Sequence, residues 1–240
     1  ALGRRLREEG IPCDAIYLDI EYMQGYKDFS VHPERFPDFA DHVARMRALG
    51  FRLVPIIDAG VKIEEGYDLY EEGRAGGYFC TVESGEEFVA AVWPGKCHFP
   101  DFLNPEARRW FGSKYRILTE AGIEGFWNDM NEPAIFYTEE GMAEAMDLAD
   151  ESRGKNLEVD DFFALRETFA FDDPETDFKR FFHHLPDGSR IRHDRVHNIY
   201  GFNMTRAAAE GLQKIDPEKR YLLFSRSSYV GMHRYSGLWT

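Results

Sequence analysis

Short runs of apolar residues alternate along this chain with longer segments in which apolar residues recur every three or four positions. The runs predict strands near residues 14–20, 51–57 and 221–224, and a further strand just before Asp129. The longer segments predict helices near residues 38–49, 104–121, 139–149 and 203–215. Alternating strands and helices are typical of parallel β-α-β units, and the apolar strands indicate a sheet covered on both faces.

A polar side chain stands at the end of each predicted strand. These residues are Asp19, Asp58, Asp129 and Arg226. In a (β/α)₈ barrel the carboxyl ends of all strands meet at one face, where the following loops build the active site. A doubly wound sheet would also fit the alternation, but no glycine-rich phosphate loop follows a strand. We therefore predict an α/β fold that is part of a (β/α)₈ (TIM) barrel.

Two long connections interrupt the alternation of strands and helices. Residues 61–102 are predicted to form a loop insertion or small subdomain over the mouth of the barrel. Residues 138–192 are predicted to be a second insertion, after the strand that ends at Asp129. Long connections of this kind commonly serve as binding loops or subunit contacts. We interpret residues 1–240 as part of one barrel domain that carries both insertions.

Composition disfavours several classes of partner. The chain has 43 acidic and 29 basic residues, and a net charge of −14 disfavours binding to nucleic acid or to an anionic membrane surface. No apolar run reaches the length needed to span a membrane. Cys13, Cys80 and Cys97 lack the paired spacing of a disulfide framework or a zinc site. We therefore expect a cytoplasmic protein without metal or other cofactor.

The segment Trp127-Asn128-Asp129-Met130-Asn131-Glu132 resembles the Trp-x-Asp-Met-Asn-Glu signature of glycoside hydrolase family 31, whose members include α-glucosidases. Further blocks resemble the family in the same order, at residues 16–23, 55–58, 92–95, 99–102, 197–201 and 226–240. The resemblance implies a (β/α)₈ barrel of which this chain supplies roughly strands two to six.

The resemblance also implies a reaction. Asp129 would be the catalytic nucleophile of a retaining α-glucosidase and would form a covalent glycosyl-enzyme. Retaining enzymes hold their two carboxyl groups about 5 to 5.5 Å apart. The family's general acid/base is the Asp of a Trp-Thr-Gly-Asp run, of which this chain holds Trp239 and Thr240. The acid/base is therefore expected two residues beyond Thr240, in a longer protein.

Other site residues follow from the same resemblance. Asp19 and Asp58 would contact sugar hydroxyls, and Arg226 would lie beside Asp129 and keep it ionised. Glu132 would support the site from behind the residues that touch the substrate. The apolar and aromatic wall would comprise Ile56, Trp93, Met130 and Trp239.

Several alternatives stay open at this point. The protein could be an α-xylosidase or transglucosidase of the same family, or an inactive sugar-binding relative. A metal-dependent barrel enzyme is also compatible with the strand-end acids, since Asp19, Asp129 and Glu132 could bind a divalent cation. The leading hypothesis is an α-glucosidase acting on oligosaccharides or small α-glucosides, with homo-oligomerisation as a possibility.

Overall fold

The structure is a computed structural model that describes residues 2–170 and 174–239. Thr240, part of the predicted Trp-Thr motif, lies outside the described residues. In chain order the strands are β1 (Ala15–Leu18), β2 (Arg52–Ile57), β3 (Val61–Lys62), β4 (Ala90–Val92), β5 (Gly95–His98), β6 (Gly125–Asn128), β7 (Phe182–His184), β8 (Arg190–Arg192), β9 (Leu222–Ser225) and β10 (Gly237–Leu238).

The α-helices are α1 (Leu2–Glu8), α2 (Phe39–Ala48), α3 (Asp68–Gly76), α4 (Pro105–Lys114), α5 (Arg116–Glu120), α6 (Glu139–Ser152), α7 (Val159–Ala170), α8 (Pro174–Phe178) and α9 (Tyr200–Ile215). The four predicted helices begin within three residues of α2, α4, α6 and α9, and the structure adds further helices inside the two long connections. Hydrogen bonds from capping side chains define where two of these helices begin. The side chain of Asp38 accepts a hydrogen bond from Asp41 N before α2, and that of Asn104 accepts one from Glu106 N before α4.

One predicted helix is divided. The sequence predicts a single helix near residues 104–121, whereas α4 ends at Lys114 and α5 begins at Arg116. At the junction the amide of Leu118 donates to the carbonyl oxygen of Tyr115, three residues earlier, which is the tighter 3₁₀ pattern. Tyr115 itself is fully buried, and its hydroxyl donates to the side-chain oxygen of Asn128 at 2.8 Å.

A five-stranded sheet forms the centre of the molecule, with all neighbouring strands parallel and in the order β1-β2-β6-β9-β10. The spatial order follows the chain order. In a doubly wound sheet the strand order reverses at a switch point beside the first strand. No such reversal occurs among these five strands, so their order matches consecutive strands of a (β/α)₈ barrel. The predicted fold class is confirmed.

Helices α4 and α9 pack at unusually close range. A Cβ atom built on Gly211 would lie 2.1 Å from the carbonyl oxygen of Gly112, and one built on Gly112 would lie 2.3 Å from the carbonyl oxygen of Ala207. Neither helix tolerates a side chain at its contact point. The contact fixes the position of α9. This helix leads into strand β9, and Arg226 directly follows that strand.

Residues 61–102 contain α3 and an antiparallel sheet in the order β3-β5-β4. Residues 138–192 contain α6 to α8 and the β7-β8 hairpin. The two segments share a second apolar core, in which the Phe88 and Phe181 rings stack at 4.2 Å and Met130 also packs. The description of both segments as insertions of one catalytic domain stays a prediction.

None of the described helices combines the length and the apolarity required to cross a membrane.

Candidate active site

The four polar residues predicted at strand ends each follow a strand of the parallel sheet directly: Asp19 follows β1, Asp58 follows β2, Asp129 follows β6 and Arg226 follows β9. The ladder continues one step past the strands, because the amide of Asp129 donates to the carbonyl oxygen of Ile57 at 3.0 Å. All four residues therefore lie at the carboxyl edge of the sheet, as the barrel interpretation requires.

Arg226 forms ion pairs with two acidic residues, Asp129 and Glu132. Its Nη1 lies 2.9 Å from Oδ1 of Asp129. Its Nε and Nη2 donate to the two carboxylate oxygens of Glu132 at 3.1 and 2.8 Å. Such a two-point contact fixes the plane of the guanidinium group as well as its distance. Hydrogen bonding to Glu132 also raises the pKa of Arg226, which therefore stays charged.

Asp129 is held from two sides. Its Oδ1 accepts both the Arg226 contact and a hydrogen bond from the amide of Met130 at 2.8 Å. Met130 adopts a left-handed backbone conformation with a φ of 53°, which is uncommon for a residue other than glycine. Burial raises the pKa of Asp129 above its ordinary value, while the Met130 amide and the Arg226 charge oppose that rise. The two contacts thus favour the carboxylate form.

Asp58 is more deeply buried than Asp129. It is only 4% exposed. Burial first, and then the negative charge of Asp129, raise its pKa to about 7, although Arg226 acts against this. A carboxyl group with such a pKa is partly protonated near neutral pH and can donate a hydrogen bond. The edge therefore combines a carboxylate paired with arginine and a second carboxyl that is partly protonated near neutral pH.

Asp19 is solvent-exposed and directly follows β1, which is an edge strand of the five-stranded sheet. Its Oδ1 accepts a hydrogen bond from the amide of Ile20 at 2.8 Å and thereby caps a short 3₁₀ turn. The charge of Asp19 contributes to the raised pKa of both Asp58 and Asp129. The residue thus has a local structural role and is electrostatically coupled to the site, and its predicted contact with substrate stays a prediction.

The residues assigned to the wall fall into two groups. Ile56 and Met130 are buried beside the strand ends. Trp239 directly follows β10, and its ring packs on Trp127 with centroids 5.4 Å apart. Trp93 differs, since it is 49% exposed and meets Phe136 edge to face at 4.9 Å. Within the described structure no hydrogen bond or ring contact joins Trp93 to Asp129 or Arg226.

Two residues that support the site were not assigned from the sequence. Asn131 is fully buried, donates to Ser225 Oγ at 2.9 Å and accepts from Ser227 N at 3.1 Å, so it holds the residue on each side of Arg226, Ser225 by its side chain and Ser227 by its backbone. Its place in the family-like signature was the available signal. Asp28 accepts a hydrogen bond from the amide of Asp58 at 2.8 Å. No local pattern pointed to it, because it lies thirty positions away in a loop.

Among the described residues, one group has ligand atoms close enough to hold an ion: Cys80, Asp101 and His183. Asp101 already accepts hydrogen bonds from His183 Nδ1, His184 N and Leu103 N. Burial would raise its pKa, but the two histidines lower it to about 2. The group is thus a satisfied hydrogen-bond network rather than an open site.

The metal-dependent alternative gains no support at the strand ends. It requires Asp19, Asp129 and Glu132 to bind a divalent cation, whereas Arg226 engages one oxygen of Asp129 and both oxygens of Glu132. A charged guanidinium in that position takes the lone pairs a cation would use and repels it.

Comparison with known proteins agrees with this arrangement. The model of the glycosyl hydrolases family 31 TIM-barrel domain matches residues 1–240. Alpha-glucosidase 2 of Bacillus thermoamyloliquefaciens is 37% identical over 233 residues, covering 97% of this chain and 25% of the relative. Alpha-glucosidase of Saccharolobus solfataricus is 30% identical over 236 residues, covering 98% of this chain and 31% of the relative. A family 31 dextranase of Flavobacterium johnsoniae, solved in complex with glucose, has a TM-score of 0.75 at 26% identity, covering 100% of this chain and 25% of that one.

The chain thus spans about a quarter to a third of the length of these relatives. The family match nevertheless covers every residue, and the strand order and the strand-end acids agree with it. On these grounds the chain belongs to the glycosyl hydrolases of family 31, as part of their TIM-barrel domain.

Proposed function

We propose that the protein containing this chain is a retaining α-glucosidase, which hydrolyses α-glucosidic bonds of oligosaccharides or small α-glucosides. The observation that carries the proposal is the Asp129 carboxylate at the end of β6, paired with Arg226 at 2.9 Å. The names of the relatives, two α-glucosidases and a dextranase solved with glucose, support glucose as the sugar that is cleaved off.

The proposed reaction is a double displacement. One oxygen of Asp129 attacks the anomeric carbon while the glycosidic bond breaks and the departing oxygen takes a proton from a general acid. Since both contacts of Asp129 use Oδ1, we assign the attack to Oδ2. Water then hydrolyses the covalent glycosyl-enzyme, with its proton returning to the acid/base, so that the configuration of the anomeric carbon is retained.

The general acid/base is proposed to come from a part of the protein outside these residues. Glu132 is a poor candidate, because both its oxygens are engaged by Arg226. Asp19 and Asp58 are proposed to contact sugar hydroxyls, and Ile56, Trp93, Met130 and Trp239 to form the wall. A site built to hydrogen-bond hydroxyls rejects analogues that lack them, because its buried polar groups would be left unpaired.

Replacement of Asp129 tests the proposal. In the full-length protein, Asp129→Ala and Asp129→Asn should abolish turnover of para-nitrophenyl α-glucoside, because neither side chain can form the glycosyl-enzyme. Asp147→Asn, a change at an exposed position of α6, is the matched control and should keep full activity. NMR of the first sugar released by the unmodified protein should show the α-anomer. Release of the β-anomer, or turnover by Asp129→Ala, would refute the mechanism.

Substrate profiling separates the remaining candidates. Preference for an α-xyloside would favour an α-xylosidase, and dominant transfer to a second sugar would favour a transglucosidase. Sugar binding without turnover would favour an inactive relative. Activity that survives a chelator would dismiss the metal-dependent alternative.

Cytoplasmic location and homo-oligomerisation also stay predictions. All three cysteines are free thiols, which supports the reducing compartment. Cell fractionation and light scattering of the purified protein would test the two predictions separately.

A further inference from the structure

A buried chain of hydrogen bonds joins the β7-β8 hairpin to the barrel, and the proposed reaction does not use it. Oδ1 of Asp101 lies 2.8 Å from Nδ1 of His183, and Nε2 of His183 lies 2.8 Å from Nδ1 of His193. All three side chains are fully buried. Because the Asp101 carboxylate can only accept, Nδ1 of His183 carries a hydrogen and donates it. We call these three residues the Asp-His-His chain.

The ends of the Asp-His-His chain belong to different parts of the fold. Asp101 lies between β5 and α4, and its carbonyl oxygen accepts a hydrogen bond at 2.9 Å from the amide of Asn104, the residue that caps α4. His183 lies in β7, and His193 directly follows β8, where its amide donates to the carbonyl oxygen of Phe181 at 2.9 Å. The chain therefore ties the hairpin to the start of a barrel helix.

His193 is also held by its ring. It stacks on Phe181 with centroids 4.3 Å apart and meets Phe178 edge to face at 4.8 Å. Both phenylalanines belong to the second apolar core, together with Met130 and Ile135. Met130 and Ile135 lie in the loop that follows β6, residues 130–136. The aromatic contacts thus connect His193 with the side of this loop that faces away from Arg226.

The loop 130–136 carries Glu132, which aligns Arg226. Both carboxylate oxygens of Glu132 accept from Arg226, and Arg226 in turn pairs with Asp129. The Arg226 and Glu132 side chains are about a third exposed, and an ion pair of that exposure contributes little by itself to holding a loop in place. The alignment of Glu132 therefore depends on what fixes the backbone of the loop.

Two observations place His193 against that backbone. Burial lowers the pKa of His193 well below its ordinary value, and the Glu132 backbone opposes this effect, so it lies beside the ring. Tyr200, the first residue of α9, packs its ring on His193 at 5.4 Å. At the next residue, a Cβ built on Gly201 would lie 2.7 Å from the carbonyl oxygen of Asn131. The first turn of α9 thus touches both the histidine and the loop.

We propose that His183 and His193 are positioning residues of the active site, which hold the loop 130–136 against the barrel through Asp101 so that Glu132 stays aligned with Arg226. The inference rests on the proposed glycosidase function and deepens it, since it gives the β7-β8 hairpin a part in keeping the nucleophile paired. Both histidines are fully buried and act from behind the site. Breaking the chain should therefore lower kcat and leave KM nearly unchanged.

Two variants of the full-length protein break the Asp-His-His chain at different points. His183→Asn keeps a donor for Asp101 but is too short to reach His193. His193→Phe keeps a ring that can stack on Phe181 but has no nitrogen for His183. Each should lower kcat for para-nitrophenyl α-glucoside by about 10- to 100-fold, since small misplacements of catalytic groups cost that much. The double variant should lose no more than either single variant, because both changes break one link.

His184→Asn is the matched control. His184 is the next residue of β7, and its Nδ1 lies 3.2 Å from the other carboxylate oxygen of Asp101. Its backbone amide, which the change leaves in place, donates to the same oxygen at 2.6 Å. Within the described structure its ring makes no hydrogen bond to His193. The control should therefore keep the kcat of the unmodified protein.

Arg226→Met tests the route from the histidines to the site. If the Asp-His-His chain acts by aligning Glu132 with Arg226, His193→Phe should add little to the loss of kcat that Arg226→Met already causes. A full additional loss would mean that the chain acts by another route and would overturn the proposal.

The outcomes distinguish the two proposals. An unmodified protein that does not hydrolyse α-glucosides refutes the proposed function, and this inference with it. An active unmodified protein whose His183→Asn and His193→Phe variants keep kcat, or change only KM, refutes the positioning role alone. A loss of activity that merely matches the loss of folded protein, measured by near-ultraviolet circular dichroism, also refutes it and leaves the histidines as scaffold only.

Discussion

Replacement of Arg226 by methionine should move the acidic side of the pH–activity profile upward. The nucleophile must be ionised, so activity is lost as the pH falls through the pKa of Asp129. Arg226 opposes the rise that burial imposes on that pKa. Methionine has a similar reach but no charge. The variant also leaves Glu132 and Asp129 as unshielded like charges, and the charge of Glu132 already raises the pKa of Asp129.

The magnitude follows from the ion-pair distance. Two unit charges 2.9 Å apart interact by about 1.4 kcal/mol in water and about 6 kcal/mol at an effective dielectric constant of 20. The arginine side chain is 35% exposed and shared with Glu132, so we discount toward the aqueous value. The expected rise is about 1 to 2 pKa units, equivalent to roughly a 10- to 100-fold loss of activity well below the new pKa.

The assay is kcat/KM of the full-length protein for para-nitrophenyl α-glucoside between pH 3.5 and 8. Arg226→Lys is the matched control, because it keeps the positive charge but loses the two-point contact with Glu132. We expect it to lower kcat with a smaller displacement of the acidic side. If Arg226→Met lowers kcat while its acidic side coincides with that of the unmodified protein, Arg226 does not keep Asp129 ionised.

Two stability predictions follow from the core. Gly211→Ala should lower the melting temperature, because its Cβ would lie 2.1 Å from the Gly112 carbonyl oxygen. Overpacking of this kind costs about 1 to 3 kcal/mol of stability. Gln213→Ala, on the exposed face of α9, is the control. A melting temperature equal to the control would mean that the helices can separate cheaply. Tyr115→Phe leaves Oδ1 of buried Asn128 unpaired and should lower the free energy of unfolding by about 1 to 3 kcal/mol, measured by thermal unfolding. Unchanged stability would show that this oxygen finds another partner.

The sequence by itself determined the order and type of the main elements. Strand and helix periodicity depend on neighbouring residues, and helix starts depend on caps such as Asn104, whose partner lies two positions away. The same local logic placed Asp58, Asp129 and Arg226 at strand ends. Because parallel strands present all their carboxyl ends at one edge, these positions sufficed to predict that the three residues would meet.

Only the tertiary structure decided what each of these residues experiences. The backbone amide of Asp58 is held by Asp28, and the orientation of Arg226 depends on Glu132 and on the hydrogen bond of Asn131 to Ser227. These partners lie thirty or more positions from the groups they influence. Burial and the sign of the nearest charge set a pKa, and both are properties of packing between distant segments, which no local pattern encodes.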